Sequence, residues 1–156
     1  MFSLFLAAAL ALQTTPPGED PVEPYTHSNA NAGATPFTGK GMWKAFHGKA
    51  GVDRIVDDLV ARNARDPRIA DIFKGQDLVR LRRTLKEQFC YILGGGCDYT
   101  GRAMAATHKD MGLQQADFNA LVENLQAAMR REHVPFFAQN AFLAKLAPME
   151  RVTVER

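Results

Sequence analysis

The residues best suited to chemistry in this chain surround His108, which follows the glycine run 94–96. Met104, His108 and Met111 have the spacing of one helical face, so an imidazole is expected between two thioethers. Imidazole is a good ligand for iron, and methionine packs well against flat, irregular surfaces. The pattern admits two interpretations, which are a metal ligand and a hydrogen-bonded core histidine.

The composition excludes several function classes. The chain has 156 residues, 46% of them hydrophobic and 23% charged, which is enough for one domain with a core. The net charge is only +2, and no basic block is interleaved with aromatic residues, so nucleic acid is not an expected partner. The common zinc, dinucleotide and acyl-transfer patterns (C-x-x-C, H-E-x-x-H, G-x-G-x-x-G and G-x-S-x-G) are absent from the sequence.

The N-terminal part divides into an apolar run and a polar segment. Residues 2–12 are too short to cross a bilayer, which needs about 20 apolar residues, but they match the core of a secretory signal. We predict a signal peptide over 1–13, and hence a periplasmic or secreted protein with no stable membrane span. If the run is not a signal, the protein is cytoplasmic. Residues 14–41 are rich in Pro, Gly, Thr and Asn, which predicts a flexible linker.

The remaining domain, 42–156, is predicted to be all-α. Its apolar residues recur at i, i+3, i+4 and i+7, the spacing of amphipathic helices, and no segment alternates like a strand. Four main helices with short connections are expected. Their apolar stripes are Val52, Ile55, Val56, Leu59 and Val60; Leu78, Leu81, Leu85 and Phe89; Phe118, Leu121, Val122, Leu125 and Met129; and Phe136, Phe137, Phe142, Leu143 and Leu146.

The second of these helices has a polar start and a basic face. Asp77 is placed to cap its N-terminus. Its basic residues lie mostly off the apolar stripe, and we expect them to be solvated, with one or two able to meet an anionic ligand at the mouth of a pocket. They are Arg80, Arg82, Arg83 and Lys86.

Several motifs, in order and spacing, resemble the group I truncated haemoglobins over 43–152. The most distinctive is Tyr99-Thr100-Gly101-Arg102-Ala103-Met104, with His108 four residues further on. The resemblance implies a truncated globin, a two-on-two α-helical sandwich around one non-covalent haem b (iron protoporphyrin IX). The absence of a C-x-x-C-H sequence agrees with non-covalent attachment. The supporting motifs are Asp66-Pro67-Arg68-Ile69, Phe73 with Gly75, Leu93-Gly94-Gly95, Gly112-Leu113 and Val134-Pro135.

The resemblance also implies roles for single residues. His108 corresponds to the proximal iron ligand, and Phe73 to the loop phenylalanine that stacks on the haem. Leu81 and Leu85 fall on the distal helix, and Met104 lies on the proximal side. Val60 and Tyr99 are the other residues expected to contact the cofactor.

The distal side departs from the family. Group I members usually carry a tyrosine at the position of Val60, and often a glutamine at that of Leu85. A donor to the bound gas is worth about 1.5–3 kcal/mol. Its loss should weaken oxygen retention by roughly ten- to a hundredfold. Thr84 and Gln88 are the nearest polar candidates on the same helix.

These features predict reversible binding of oxygen, carbon monoxide or nitric oxide at a five-coordinate iron in an apolar pocket. One alternative is redox chemistry, as a nitric oxide dioxygenase with an electron-donor reductase or as a peroxidase-like enzyme. Peroxidase chemistry would need a distal acid–base group, and none is evident. A second alternative is a haem-based sensor or carrier module.

The only cysteines are Cys90 and Cys97, near the end of the second helix and after the glycine turn. The chain can bring their Cα atoms within the 4.4–6.8 Å that a disulfide needs. Export favours a disulfide between them, whereas in a cytoplasmic protein two unpaired thiols would be as consistent with the sequence as a disulfide.

Overall fold

A computed structural model describes residues 14–155, and within that range it contains helices and turns but no strand. The all-α prediction is therefore confirmed. The predicted signal peptide, 1–13, lies outside the described residues. No helix between residues 14 and 155 has the length and apolar character needed to cross a membrane. The α-helices are α1 (Gly41–Ala45), α2 (Gly48–Asn63), α3 (Ala70–Phe73), α4 (Leu78–Ile92), α5 (Met104–His108), α6 (Gln115–Arg131), α7 (Phe136–Leu146) and α8 (Glu150–Thr153), with 3₁₀-helices at Asn29–Ala32 and Ala147–Met149.

Helix α2 lies at the centre because its predicted stripe is fully buried, and it packs on both α4 and α6. The fourth main helix, α7, joins this core through Phe142, whose ring centroid lies 5.1 Å from that of Phe46 and 4.9 Å from that of Phe89. Both contacts are edge-on, the arrangement that aromatic pairs favour. The four main helices predicted from the sequence thus form one core, but Phe136 and Phe137, which were predicted on the apolar face of α7, are exposed.

The ends of α4 follow local rules. At its start, Asp77 accepts a hydrogen bond from the backbone N–H of Arg80 at 2.9 Å, as predicted for a cap. After its end, Gly94 has φ +80°, and a Cβ there would lie 2.9 Å from the carbonyl oxygens of Phe37 and Gly39. The glycine turn therefore lets segment 37–39 pack closely against the end of α4.

The prediction of a flexible linker over 14–41 is wrong for this structure, because residues 14–40 lie against the domain. We call these residues the strap. Ala32 is fully buried in a 3₁₀-helix. The carboxylate of Glu19 pairs with Arg80 and Arg83 of α4, and its side chain is only 1% exposed. Further along the strap, Oδ1 of Asn29 accepts a hydrogen bond from the backbone N–H of Tyr99 at 2.7 Å. Polar contacts, together with the burial of Ala32, hold the strap, and its sequence has no periodic apolar pattern that could predict them.

The chain continues in helical form after α7, which ends at Leu146. A 3₁₀-helix is followed by α8, and α8 packs on α5, the short helix that carries His108. The backbone N–H of Glu155 donates to the carbonyl oxygen of Leu113 at 2.9 Å. The segment from α8 to Glu155 therefore packs against α5 and the loop that follows it.

Candidate functional site

His108 is the last residue of α5 and is half-buried. Its Nδ1 lies 2.8 Å from the carbonyl oxygen of Met104, one turn earlier. A carbonyl can only accept, so Nδ1 must carry the proton, and in the neutral ring Nε2 keeps its lone pair. No other residue in the described range hydrogen-bonds to the ring. The helix itself thus orients the imidazole and leaves Nε2 available as a ligand.

Met104 links the histidine to α4. Its sulfur lies 3.4 Å from Nε2 of Gln88, and its carbonyl oxygen holds His108. Met111 was predicted to share this face, and that prediction is wrong. The helix ends at His108, Asp110 has φ +61°, and the Met111 side chain is exposed. The imidazole therefore has one methionine neighbour on its helix rather than two.

Both polar candidates near the distal side already have partners. Gln88 is buried and donates to the carbonyl oxygen of Ala32 in the strap at 2.8 Å. The hydroxyl of Thr84 donates to the carbonyl oxygen of Arg80 at 3.0 Å, along its own helix. Neither group is a free donor in this structure.

The expected cofactor contacts fall into two groups. Phe73, at the end of α3, and Leu81 and Leu85, on α4, are large apolar side chains that remain only half-buried. The two leucines pack against the core with one side and leave the other uncovered. Val60 is fully buried on α2, inside the core. The half-buried residues suit a site that an apolar ligand would complete.

Tyr99 lies beneath the strap. It is 4% exposed, and its hydroxyl donates to the carbonyl oxygen of Arg102 at 3.1 Å. Burial raises the pKa of this phenol to about 12, so it stays protonated at neutral pH. Its described hydrogen bonds run to the strap and to its own loop, and none runs to His108.

The basic face of α4 is paired rather than freely solvated. Arg80 and Arg83 meet Glu19 of the strap, and Arg83 also binds Glu87 at 2.9 Å and the hydroxyl of Thr100. The sequence reasoning missed Glu19. The only indication of this pairing in the sequence was an acidic residue in a polar segment and a dense group of basic residues on α4 with fewer acidic ones to match them. Arg82 and Lys86 instead pair with Asp57 of α2.

The cysteine pair lies between α4 and the loop that leads to α5. The structure places the two Sγ atoms at bonding distance, with Cα atoms 5.7 Å apart, inside the range expected. A Cβ on Gly95 would lie 2.6 Å from the sulfur of Cys90 and 2.8 Å from the Trp43 ring. Only glycine therefore fits at position 95, in the turn that lies between the two cysteines in the sequence.

Two open cavities lie elsewhere. One, of about 360 Å³, has a largely charged lining on α2 and α6, and the other, of about 400 Å³, lies beside the glycine turn. His108 lines neither of them. The availability of its Nε2, together with the half-buried apolar side chains on α3 and α4, therefore identifies the candidate site better than cavity volume does. Apolar side chains left half-buried in this way are expected where a ligand completes the interior.

The donor chemistry fits a metal carried by a larger cofactor. Among residues 14–155, no group of three His, Cys, Asp or Glu side chains could hold an ion. A metal at His108 would therefore need its other ligands from a cofactor, as the ring nitrogens of a porphyrin supply. A flat apolar ring also matches Phe73, Leu81 and Leu85.

Comparison with known proteins agrees with this geometry. A family model described as bacterial-like globin matches residues 41–154. The group 1 truncated hemoglobin GlbN of Nostoc commune is 35% identical over 88 residues, covering 56% of this chain and 75% of that protein. The counterpart from Tetrahymena thermophila is 30% identical over 89 residues, or 57% and 74% of the two chains. The crystal structure of the truncated hemoglobin from Tetrahymena pyriformis, Fe(III) form, superposes with a TM-score of 0.70 at 23% identity, over 74% and 98% of the chains. The two-on-two fold is thereby confirmed, and the chain belongs to the bacterial-like globins as a group 1 truncated haemoglobin.

Proposed function

We propose that this globin holds one non-covalent haem b through His108 and reversibly binds oxygen or another diatomic gas. The observation that carries the proposal is the 2.8 Å hydrogen bond from Nδ1 of His108 to the carbonyl oxygen of Met104. It fixes the tautomer in which Nε2 can ligate iron, and it makes that nitrogen more basic. Bound there, the haem would supply the iron at which a gas molecule binds.

The chain's own residues would hold the cofactor and exclude water. Phe73 offers an aromatic ring for stacking, and Leu81, Leu85 and Met104 offer hydrocarbon and a polarisable sulfur. Covering these half-buried groups with an apolar ring would stabilise the complex at roughly 25 cal/mol per Å² of apolar surface removed from water. Among these residues only the Met104 thioether could also ligate iron, and its sulfur lies 3.4 Å from Nε2 of Gln88.

The distal side favours weak retention of the gas. Leu81 and Leu85 bear no ligating atom and no hydrogen-bond donor, which supports a five-coordinate iron. The hydroxyl of Thr84 and the amide of Gln88 are engaged at 3.0 Å and 2.8 Å with backbone carbonyls. A redox enzyme of the dioxygenase or peroxidase kind would need a group that orients or protonates the bound molecule. The partners of Thr84 and Gln88 therefore favour gas binding over turnover.

Oxygen dissociation from the reduced, haem-loaded protein tests this proposal. Leu85→Gln places a donor on the distal helix, and Leu85→Ile is the matched control of similar volume with neither a donor nor a ligating atom. We expect the glutamine to slow oxygen dissociation by roughly ten- to a hundredfold, equivalent to about 1.5–3 kcal/mol, and the isoleucine to change it little. A wild-type rate already slow and insensitive to Leu85 would contradict the apolar-pocket proposal.

We also propose that the protein is exported and that Cys90 and Cys97 form a disulfide there. The support is the apolar run 2–12 and the placement of the two sulfurs at bonding distance. Thiol titration of protein isolated from its native compartment should find no free thiol. Two titratable thiols would contradict both parts of this proposal.

A further inference from the structure

The start of α7 exposes two adjacent phenylalanines. Phe136 is 75% exposed and Phe137 is 69% exposed, directly after Pro135. The helix is held in the core by other residues, since Ala138 and Phe142 are completely buried. Packing of α7 therefore does not require aromatic side chains at its first two positions. Two large adjacent apolar side chains left in water usually mark a contact surface.

These phenylalanines lie at an end of the molecule that is held together by one carboxylate. Glu132, in the turn before α7, accepts hydrogen bonds from Arg54 of α2 at 2.6 Å and pairs with His47 at 3.0 Å. The ring contact between Phe142 and Phe46 also joins α7 to the junction of α1 and α2. Segments 41–54 and 128–140 thus form one surface, which we call the aromatic–basic end.

Positive charge is concentrated on this surface. The two segments contain five Lys and Arg residues against two acidic ones, a balance of +3, whereas the whole chain carries +2. The rest of the chain is therefore slightly acidic. Three of the basic side chains are ion-paired but remain open to solvent, with exposures of 81% for Lys49, 60% for Arg54 and 73% for Arg131. The partner of Arg131 is Asp58 of α2, just outside the two segments. The two acidic residues are Asp53 and Glu132, and both are ion-paired within the surface.

We propose that the aromatic–basic end docks on an anionic lipid bilayer, with Phe136 and Phe137 entering the interface. The exposed Lys and Arg side chains contact the lipid phosphates. Aromatic side chains next to basic ones are the combination that holds peripheral proteins on such membranes, through buried apolar area and electrostatic attraction. Docking would leave the protein bound reversibly on the surface.

A protein partner fits this surface less well. Two aromatic side chains can bury roughly 150–250 Å² each, well below the approximately 800 Å² per partner of a stable protein interface. A second copy of the chain would also bring two surfaces of +3 together. The same positive charges that oppose self-association attract a negatively charged bilayer.

Vesicle sedimentation of the haem-loaded full chain tests the proposal. We compare vesicles of phosphatidylcholine alone with vesicles containing phosphatidylglycerol as about one third of the lipid. The wild type should bind the anionic vesicles and lose affinity as salt is raised. The double variant Phe136→Ser with Phe137→Ser should bind at least tenfold more weakly, and so should Arg130→Gln with Arg131→Gln.

The matched control is Val79→Ser with Val152→Ser, which removes two exposed apolar side chains elsewhere, 49% and 51% exposed. It should bind like the wild type. Unfolding temperatures within about 2 °C of the wild type would show that each variant is folded. Equal binding by the phenylalanine variant and the wild type would overturn the proposal, as would equal binding to the two vesicle types. A wild-type dimer in sedimentation velocity that the phenylalanine variant abolishes would overturn it in favour of self-association.

Discussion

Replacing Glu19 by glutamine should loosen the strap from α4. The carboxylate is 1% exposed and is the only acidic group of the strap that pairs with an α4 arginine among the described residues. It accepts hydrogen bonds from Arg83 at 2.9 Å and from Arg80 at 3.2 Å. The amide of glutamine has similar size but no charge, and its NH₂ group cannot accept from a guanidinium.

The expected loss of stability is about 2 kcal/mol. Hydrogen bonds to charged groups contribute roughly 1.5–3 kcal/mol. The lower half of that range applies because the two arginine side chains are 21% and 27% exposed, and Arg83 keeps Glu87 as a partner. For a chain of this size the unfolding temperature should fall by roughly 4–8 °C.

The effect should depend on pH in a defined direction. The hydrogen bond from Arg83 holds the pKa of the Glu19 carboxyl below its ordinary value of 4.5. A carboxyl with a lowered folded pKa stabilises the protein fully above its unfolded pKa, and that stability is lost as pH falls through the folded value. The difference between wild type and Glu19→Gln should therefore be complete at pH 7 and should shrink below about pH 4.5.

Thermal unfolding followed by circular dichroism measures this difference. The matched control is Glu23→Gln, an exposed residue of the same strap, which should leave the unfolding temperature unchanged. Equal unfolding temperatures for wild type and Glu19→Gln at pH 7 would refute the reasoning. So would a difference of undiminished size in acid.

Three further outcomes follow from the same contacts. Replacing both Cys90 and Cys97 by serine should lower the free energy of unfolding by roughly 2–3 kcal/mol in urea titrations, and reductant should bring the wild type to the same value. Replacing Gln88 by leucine removes the donor to Ala32 and should cost about 1–3 kcal/mol, measured as a lower urea midpoint at unchanged slope. An ultraviolet titration should find the Tyr99 phenol ionising at about pH 12, and removing that phenol by Tyr99→Phe should delete this step; ionisation near pH 10 would contradict its burial.

The helices could be predicted because their apolar stripes are dense and regular. Each residue of the α2 stripe, from Val52 to Val60, is buried as the spacing requires. Asp77 could be recognised as a cap because the rule is local. The end of α5 was less legible, since Asp110 takes a left-handed conformation that its residue type permits but does not demand.

The strap could not be predicted from its composition. Its contacts join residues far apart in sequence, with Glu19 and Arg83 separated by 64 positions and Asn29 and Tyr99 by 70. A polar, proline-rich segment looks the same whether it is free or held by such bonds. The burial of Gln88 could not be predicted for the same reason, because its hydrogen-bond partner Ala32 belongs to the strap.

The histidine itself was predictable in position but not in role. Periodicity alone placed His108 on an apolar helical face, where a hydrogen-bonded core residue is the commoner interpretation. The family motifs favour the ligand interpretation, and the hydrogen bond from Nδ1 to the carbonyl oxygen of Met104 is consistent with it. Both interpretations involve a hydrogen bond, but only one leaves Nε2 without a partner.

The most direct test is the visible absorption spectrum of the purified protein titrated with hemin. The wild type should take up one equivalent and show a Soret band, and reduction should give the spectrum of a five-coordinate iron. His108→Ala should lose that spectrum, whereas His27→Ala, which changes an exposed strap residue, should retain it. A wild-type protein that stays colourless, or a Soret band unchanged in His108→Ala, would contradict the assignment of His108 as the haem ligand.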